Sequence, residues 1–352
     1  MIKELSTIIL SFIISISTLY MPDCVFKPEI KENPSVVFSK SITSREIATT
    51  YPYKYGDMIL DIAYLEMKYP KIIEINTIGE SEWGFPIWAI TLGKGKKSVM
   101  INAAHHGREY ATVPLIMKMI NYYAKLYESN ETIEPYGNVR EILDQVSIHF
   151  IPMVNPDGVK IAQNDLDDIT DKTVNDLKKM LVSKTNFENW KANGKGVDLN
   201  ASYPAKWKRS SIPYSFQNSG GQEPNEAKET KALIDYTKEQ NFLSTISYHD
   251  AGEALFWYYG QTGKDKLRDY RLTKQLCEIT GYSLIPIETQ IKSNSGYKDW
   301  YIQEFKRPAW TIEIGKTVDD KPLSEGEMLD AWEKNKEVGL WLAKMVIEGD
   351  IE

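Results

Sequence analysis

The stretch SVMINAAHHGREY, residues 98–110, joins an apolar run to two histidines and a glutamate. The run Val99 to Ala104 is typical of a buried strand. His106 and Glu109 follow it three residues apart, and imidazole nitrogen and carboxylate oxygen are both zinc ligands. Because a strand end fixes the backbone, the following loop can turn both side chains onto one ion. The spacing alone is unspecific, so the rest of the chain must supply a third ligand and a base.

Composition sets the class of protein. The chain has 352 residues, of which 42% are hydrophobic and 26% charged, as in an ordinary globular protein. This length allows a sizeable core, and two cysteines are too few for a disulfide framework. The net charge of -7, without a basic stripe, argues against a nucleic-acid partner. We expect a monomer.

The N-terminal residues differ from the rest of the chain. Lys3 and Glu4 precede the uncharged run Leu5–Met21, which is at the lower limit for spanning a bilayer. Residues 1–24 are therefore predicted to be a signal peptide, or an N-terminal anchor if they are retained. Residues 25–48 are interpreted as a linker to a catalytic domain over 49–350. We expect a secreted, extracytoplasmic protein that contacts a membrane only through an uncleaved N-terminal segment.

Apolar periodicity predicts alternating helices and strands along the remaining chain. Helices are expected at 53–70, 110–127, 139–145, 173–181, 226–240, 267–280 and 324–348, and strands at 71–78, 87–92, 99–104, 146–154, 242–248 and 308–314. Asn155-Pro-Asp-Gly158 is interpreted as a turn. Since the strands are apolar along their length, the pattern favours a single α/β domain with a largely buried, mixed sheet.

A second histidine at a strand end completes a possible metal site. His249 ends the predicted strand 242–248, and with His106 and Glu109 it would give three ligands and leave one position for water. His149 lies inside a strand and is interpreted as structural. Glu313, among apolar neighbours on another strand, is either a catalytic base or an exposed face residue.

Five motifs in order carry a resemblance to a known family. They are His106-Gly-Arg-Glu109, Asn155-Pro-Asp-Gly158, Gly196-Val-Asp-Leu-Asn200, Ser247-Tyr-His249 and Thr311-Ile-Glu313. Over residues 50–345 the chain resembles the zinc carboxypeptidases. The resemblance implies a twisted, mixed sheet of about eight strands flanked by helices.

The resemblance also implies the site. One zinc per chain would be held by His106, Glu109 and His249, with Glu313 as general base. His106 is preferred to His105 because only His106 has the family's spacing to Glu109.

Further roles follow from the same resemblance. Lys191 would stabilise the oxyanion, and Asp198 would orient the ring of His106 through its free nitrogen. Arg108 and Asn200 would hold substrate carboxylates, although Arg108 has the alternative of pairing with a nearby acid.

The segments WKANGKGVDLN and YHDAGEALFWYYG are similar to bacterial γ-D-glutamyl-L-diamino acid peptidases. The resemblance implies a peptidoglycan stem peptide as substrate, cut between γ-D-glutamate and diaminopimelate in the cell-wall space of a bacterium. Glu253 would receive the distal ammonium of diaminopimelate. Tyr297 would replace the tyrosine that covers the site in the family, since Ile291 stands near its place.

One departure from the family pattern affects specificity. Ala201 stands where the family's carboxypeptidases have an arginine that clamps the terminal carboxylate, and a methyl group cannot replace a guanidinium. Two alternatives nevertheless stay open at this stage. One is a zinc carboxypeptidase of broader C-terminal specificity, and the other is a non-catalytic module that binds wall peptides.

Overall fold

The computed structural model of the chain describes residues 45–48, 51–181, 186–290, 295–316 and 322–351. The predicted signal peptide, nearly all of the predicted linker and Ile291 lie outside the described residues. The residues from Ile47 onward belong to one compact unit. Of the unit that precedes it, only Arg45 and Glu46 are described.

Eight strands form one mixed sheet in the order β1-β2-β6-β3-β7-β10-β8-β9. Their bounds, together with those of a separate small hairpin β4–β5, are β1 Ile73–Glu80, β2 Pro86–Leu92, β3 Lys97–Ala103, β4 Thr132–Ile133, β5 Gly137–Asn138, β6 Val146–Ile151, β7 Thr245–Asp250, β8 Ala254–Phe256, β9 Ser283–Leu284 and β10 Ala309–Ile314. The predicted α/β fold with an eight-stranded mixed sheet is confirmed.

The centre of the sheet is parallel. Strand β3 pairs in parallel with β6 on one side and with β7 on the other, and β7 pairs in parallel with β10. The carboxyl ends of four neighbouring strands therefore meet at one edge of the sheet. In open α/β sheets, this edge is where ligands bind, at the point where successive crossovers leave in opposite directions.

Helices cover both faces of the sheet. They are α1 Tyr55–Lys68, α2 Thr112–Ser129, α3 Val139–Gln145, α4 Pro156–Ala162, α5 Asp171–Met180, α6 Lys228–Gln240, α7 Gly263–Thr280, α8 Ile287–Gln290, α9 Tyr297–Phe305, α10 Glu325–Asn335 and α11 Val338–Glu348. Among these described helices, none combines the length and the apolar character needed to cross a membrane.

The core on the face of α6 and α9 is continuous with the central strands. Met100 of β3 packs in the same buried cluster as Leu233 of α6 and Trp300 of α9. Val99 and Ile101, which alternate with Met100 and are completely buried, point to the opposite face. Burial on both faces explains why these strands are apolar along their whole length.

The structure corrects several sequence predictions. The prediction of a turn at 155–158 is wrong, because Asn155 caps helix α4 and Pro156 occupies the first turn of that helix. Both are helix-start signals, since an Asn side chain can accept from the first turn and proline there forgoes no hydrogen bond. The single helix predicted over 324–348 is instead α10 and α11, separated at residues 336–337. Strands β8 and β9 and helix α9 were not predicted.

We expect Asn155→Ala to lower the free energy of unfolding by about 2 to 4 kcal/mol. The side chain accepts from Gly158 N at 2.8 Å and donates to the carbonyls of His105 and Ala192 at 2.9 and 3.1 Å. Its loss removes a cap and the donor to the buried His105 carbonyl, whereas the Ala192 carbonyl still accepts from Trp190 Nε1 at 2.8 Å. Urea unfolding followed by circular dichroism measures the change.

Asn138→Ala is the matched control, because Asn138 caps α3 at a more exposed position. We expect it to cost about 1 kcal/mol or less. Equal losses in the two variants would contradict the buried role of Asn155.

Candidate metal centre and active site

The predicted ligands stand at two neighbouring strand ends. His106 and Glu109 follow β3, and His249 is the penultimate residue of β7. Because β3 and β7 pair in parallel, with Ala103 beside Tyr248, their carboxyl ends are adjacent. Residues 140 positions apart in the chain are thus brought together by strand register.

The turn that carries His106 and Glu109 is held by backbone contacts on both sides. The Thr112 hydroxyl donates to the Glu109 carbonyl at 2.7 Å and accepts from Ala104 N at 3.2 Å. Gly107 N donates to the Lys191 carbonyl at 3.0 Å. A Cβ atom on Gly107 would lie 2.2 Å from the Gly158 carbonyl oxygen, so only glycine fits this close approach.

Four ligand atoms converge at the turn. Glu109 Oε1 lies 2.7 Å from His106 Nδ1, and Glu109 Oε2 lies 2.8 Å from His249 Nδ1. The two Nδ1 atoms are 3.3 Å apart. Among the described residues, these three form the group of histidine, cysteine and acidic side chains that can hold a metal ion. Two imidazoles and one carboxylate fit zinc, which favours nitrogen and oxygen donors of this kind.

Asp198 contacts the ring nitrogen of His106 that does not face Glu109. Its Oδ1 lies 3.1 Å from His106 Nε2, and its Oδ2 accepts from Asn218 N at 2.9 Å. Although burial disfavours a charged imidazole, Glu109 and Asp198 raise the pKa of His106 to about 9. The negative potential that does this also attracts a cation to the cluster.

His105 and His149 lie outside the ligand group. His105 Nε2 is 2.9 Å from the Tyr203 hydroxyl, and its ring stacks on that of His249 with the ring centres 5.5 Å apart. His149 Nδ1, on β6, is 2.6 Å from the Tyr236 hydroxyl. Both histidines therefore have structural contacts, as the sequence interpretation of His149 supposed.

Glu313 stands beside the ligand group on strand β10. It is directly opposite His249 in the parallel pair β7–β10, so the two side chains point to the same face of the sheet. Its side chain is half-buried and forms part of a cavity wall. Burial and the charge of Glu109 raise its pKa, against the effect of the nearby imidazoles.

Lys191 and Arg108 bring positive charge to this group. Lys191 Nζ is 3.7 Å from Glu109 Oε1 and its side chain is 20% exposed, so it faces the ligand carboxylate from the solvent side. Arg108 is buried. Burial, Glu109 and Glu313 raise the pKa of Asp250, and Arg108 and Lys191 oppose that rise. Arg108 therefore lies within electrostatic range of Asp250, and both its contact with a substrate carboxylate and its pairing with an acid stay predictions.

A cavity beside Glu313, called here the Lys298 cavity, adjoins the site. It has a volume of about 80 Å³ and is lined by Asn200, Phe256, Gln290, Gly296, Lys298, Asp299, Thr311 and Glu313. Asn200 Oδ1 accepts from Tyr297 N at 3.0 Å, so the Nδ2 amide is the donor that Asn200 can offer to a substrate.

Two predicted substrate contacts are corrected. The Tyr297 side chain is fully buried, and its hydroxyl lies 2.9 Å from Thr237 Oγ1, so it packs inside the core and does not cover the site. Glu253 is paired with Lys334 of α10 and does not line the Lys298 cavity.

Sequence reasoning also missed functional neighbours. Asp250 follows His249 directly, and its backbone N lies 3.4 Å from Glu109 Oε2. Lys298 and Asp299 sit on the unpredicted helix α9. A helix of nine residues gives little periodicity, so the adjacent opposite charges are the only sequence signal for these two residues.

Two further buried carboxyls, those of Asp157 and Glu229, accept hydrogen bonds from the backbone at residues 82–83. Asp157 Oδ2 accepts from Trp83 N at 3.0 Å, and Glu229 accepts from Glu82 N at 3.1 Å and Asn193 Nδ2 at 3.0 Å. Burial raises the pKa of Asp157, and burial together with the charge of Asp157 raises the pKa of Glu229 to about 8. The pair therefore retains a proton at pH values where exposed carboxyls have lost theirs.

Comparison with known proteins gives consistent results. A family model described as zinc carboxypeptidase, Peptidase M14, matches residues 58–337. A protein of Lysinibacillus sphaericus named γ-D-glutamyl-L-diamino acid endopeptidase 1 is 30% identical over 315 residues, covering 87% of this chain and 75% of the relative. The uncharacterized protein YqgT of Bacillus subtilis is 25% identical over 321 residues, covering 87% and 84%.

Among solved structures, bovine thrombin-activatable fibrinolysis inhibitor in complex with tick carboxypeptidase inhibitor has the same fold. The TM-score is 0.66 at 18% identity, with 84% of this chain and 97% of that chain covered.

We expect His249→Ala to weaken zinc binding by more than about 100-fold, since loss of an orienting partner alone costs up to that much. Zinc content of the purified variant, measured by atomic absorption, reports the change. His149→Gln is the matched control, because His149 is also a strand histidine but lies outside the ligand group. Full zinc content in His249→Ala would remove His249 from the ligand set.

We expect the Asp157→Asn variant to lose less free energy of unfolding than the wild type as the pH rises. The pKa of Glu229 is higher in the folded than in the unfolded chain, so the pair's contribution is complete below about pH 4. It is lost as the pH rises towards 8. The amide removes the charge of Asp157, which together with burial raises the pKa of Glu229. Between these pH limits the variant should therefore lose about 1 to 4 kcal/mol less of its free energy of unfolding than the wild type.

Urea unfolding of both proteins at intervals from pH 4.5 to pH 8.5 checks this effect. Equal pH slopes in the wild type and Asp157→Asn would show that the carboxyl pair does not control stability.

Proposed function

The chain belongs to the zinc carboxypeptidase family and is a zinc metallopeptidase with one zinc ion as its cofactor, and from this premise we propose that it hydrolyses peptidoglycan stem peptides at the γ-D-glutamyl–diaminopimelate bond. The Lysinibacillus relative, named for cleavage of γ-D-glutamyl-L-diamino acid bonds, supports this choice. A non-catalytic wall-peptide module no longer fits the chain.

Ala201 is the observation that carries the choice of substrate. It ends the turn Leu199–Ala201, where an arginine would be needed to clamp a C-terminal carboxylate. Two cavities meet at this turn, since Asn200 lines the Lys298 cavity and Ala201 lines a second, more open one of about 250 Å³. The absence of a guanidinium at this turn supports a substrate other than an ordinary peptide C-terminus.

The second cavity suits an acidic peptide. Its walls include Lys206, Lys208, Ser210 and Asn218. A γ-linked glutamate keeps its α-carboxylate free, so the substrate carries a negative charge close to the bond that is cut. Ammonium groups and polar donors at the edge of the site would attract such a carboxylate.

The mechanism uses the residues around the ligand group. His106, Glu109 and His249 would hold the zinc ion, which would supply Lewis acidity towards water and the scissile carbonyl. Glu313 takes the proton from the attacking water and returns it to the leaving nitrogen. Its raised pKa suits this task, because a base that must also act as an acid works best when its pKa approaches the working pH.

Fixed positive charge stabilises the developing oxyanion. Lys191 stands on the solvent side of Glu109, and its backbone carbonyl accepts from Gly107 N at 3.0 Å. The backbone of Lys191 is therefore tied to the metal-binding turn, and its ammonium lies close enough to the ligand group to stabilise negative charge that develops there. Asp198 keeps His106 oriented through Nε2.

A wall peptide lies outside the cytoplasm. We propose that the chain acts there, and the uncharged run Leu5–Met21 behind Lys3 and Glu4 supports export.

We expect the zinc-loaded protein to cleave L-Ala-γ-D-Glu-meso-diaminopimelate and to prefer it to ordinary α-linked C-terminal peptides of equal length. Glu313→Gln should retain zinc and lower kcat by about 100- to 10,000-fold, the range for loss of a general acid–base group. Chromatographic quantification of the released diaminopimelate measures both. Glu304→Gln, an exposed carboxylate on α9, is the matched control and should keep full activity.

Preference for the α-linked peptides would overturn the wall-peptide assignment. Normal turnover by Glu313→Gln would overturn the assignment of the base.

A further inference from the structure

The Lys298 cavity contains an ion pair that the mechanism does not use. Lys298 and Asp299 both line the cavity, and their side chains are in direct contact, with Nζ 2.5 Å from Oδ1. The two residues are only 7% and 4% exposed. Buried charges are tolerated only when paired, because each alone would carry a large desolvation cost.

The pair is fixed in position by secondary structure. Both residues belong to the first turn of α9, which follows Gly296. Lys298 Nζ also donates to the Tyr258 carbonyl at 3.1 Å, and its ammonium lies 5.9 Å from the Tyr259 ring centre. The cavity wall therefore presents one cation and one anion at defined places.

The cavity is next to the reacting atoms. Glu313, the proposed base, and Thr311, two residues before it on β10, also line it. The volume of about 80 Å³ exceeds the space of about 10 to 15 Å³ that one water molecule needs, so a small polar group fits. A side chain bound here would lie beside the proposed base, and therefore close to the bond that is cut.

We propose that the Lys298 cavity receives the distal end of diaminopimelate, with its carboxylate bound by Lys298 and its ammonium by Asp299. This assignment rests on the proposed function and specifies how the diamino acid is selected. The side chain of diaminopimelate ends in one carboxylate and one ammonium, which match the two charges of the wall. A lysine side chain brings only an ammonium and leaves Lys298 facing a like charge. Asp299 thereby takes the role that the sequence assigned to Glu253.

Three tripeptides test the match. They are L-Ala-γ-D-Glu-meso-diaminopimelate, the same peptide with the distal carboxylate converted to an amide, and L-Ala-γ-D-Glu-L-lysine. We expect kcat/KM of the wild type to fall by about 10- to 100-fold on amidation, because a charge-assisted hydrogen bond is lost, and to be lowest for the lysine peptide.

The variant Lys298→Met isolates the contact. It should cleave the free and amidated peptides at nearly equal kcat/KM, since the partner of the distal carboxylate is gone, while its zinc content stays that of the wild type. Lys238→Met, an exposed residue of α6, is the matched control and should keep the wild-type ratio.

Since Lys298→Met leaves Asp299 buried without its partner, the variant Lys298→Met/Asp299→Asn is measured beside it. Circular dichroism and zinc content establish folding, and the double variant must show the same loss of discrimination.

An unchanged ratio of free to amidated peptide in the folded single or double variant overturns the cavity assignment and leaves the proposed function intact. If the zinc-loaded wild type cleaves none of the three peptides, both the proposed function and the cavity assignment are overturned.

Discussion

The site depends on one buried carboxylate that two imidazoles share. Glu109 is 1% exposed, and each of its oxygens lies within 2.8 Å of a histidine Nδ1. A carboxylate so deeply buried needs compensating partners, and these come from the ends of two different strands. The parallel register of β3, β7 and β10 is what places His106, His249 and Glu313 around it. Helices on both faces hold that register by burying nearly all residues of these strands.

Much of this arrangement could be predicted from local sequence. The alternation of apolar strands with helices indicates the α/β class, because a period is a local property. The ligand set could also be predicted, since each ligand lies at or just past a strand end and the motifs occur in the order of the family. Glu313 alone remained ambiguous as a lone acid on a strand, and its placement depends on its being opposite His249 in the sheet.

The remainder depends on packing between distant segments. Tyr297 and Glu253 were assigned to the substrate because their types suit the chemistry, but neither their burial nor their partners can be read locally. Thr237 is 60 residues from Tyr297, and Lys334 is 81 residues from Glu253. The turn predicted at Asn155 failed for another reason. The same Asn-Pro pair that initiates a turn also starts a helix, and the contacts with the His105 and Ala192 carbonyls decide between the two.

In the mechanism and the cavity assignment proposed above, chemistry and selectivity are carried by separable parts of this fold. The metal ligands belong to β7 and to the turn after β3, whereas Lys298 and Asp299 belong to one turn of α9, a helix that contributes no ligand. Lys298 and Asp299 can therefore be substituted while the metal ligands and the proposed base stay unchanged. Adaptation to wall polymers with a different diamino acid would then require substitutions only at these two positions. The same two positions could be substituted to change the specificity of the enzyme by design.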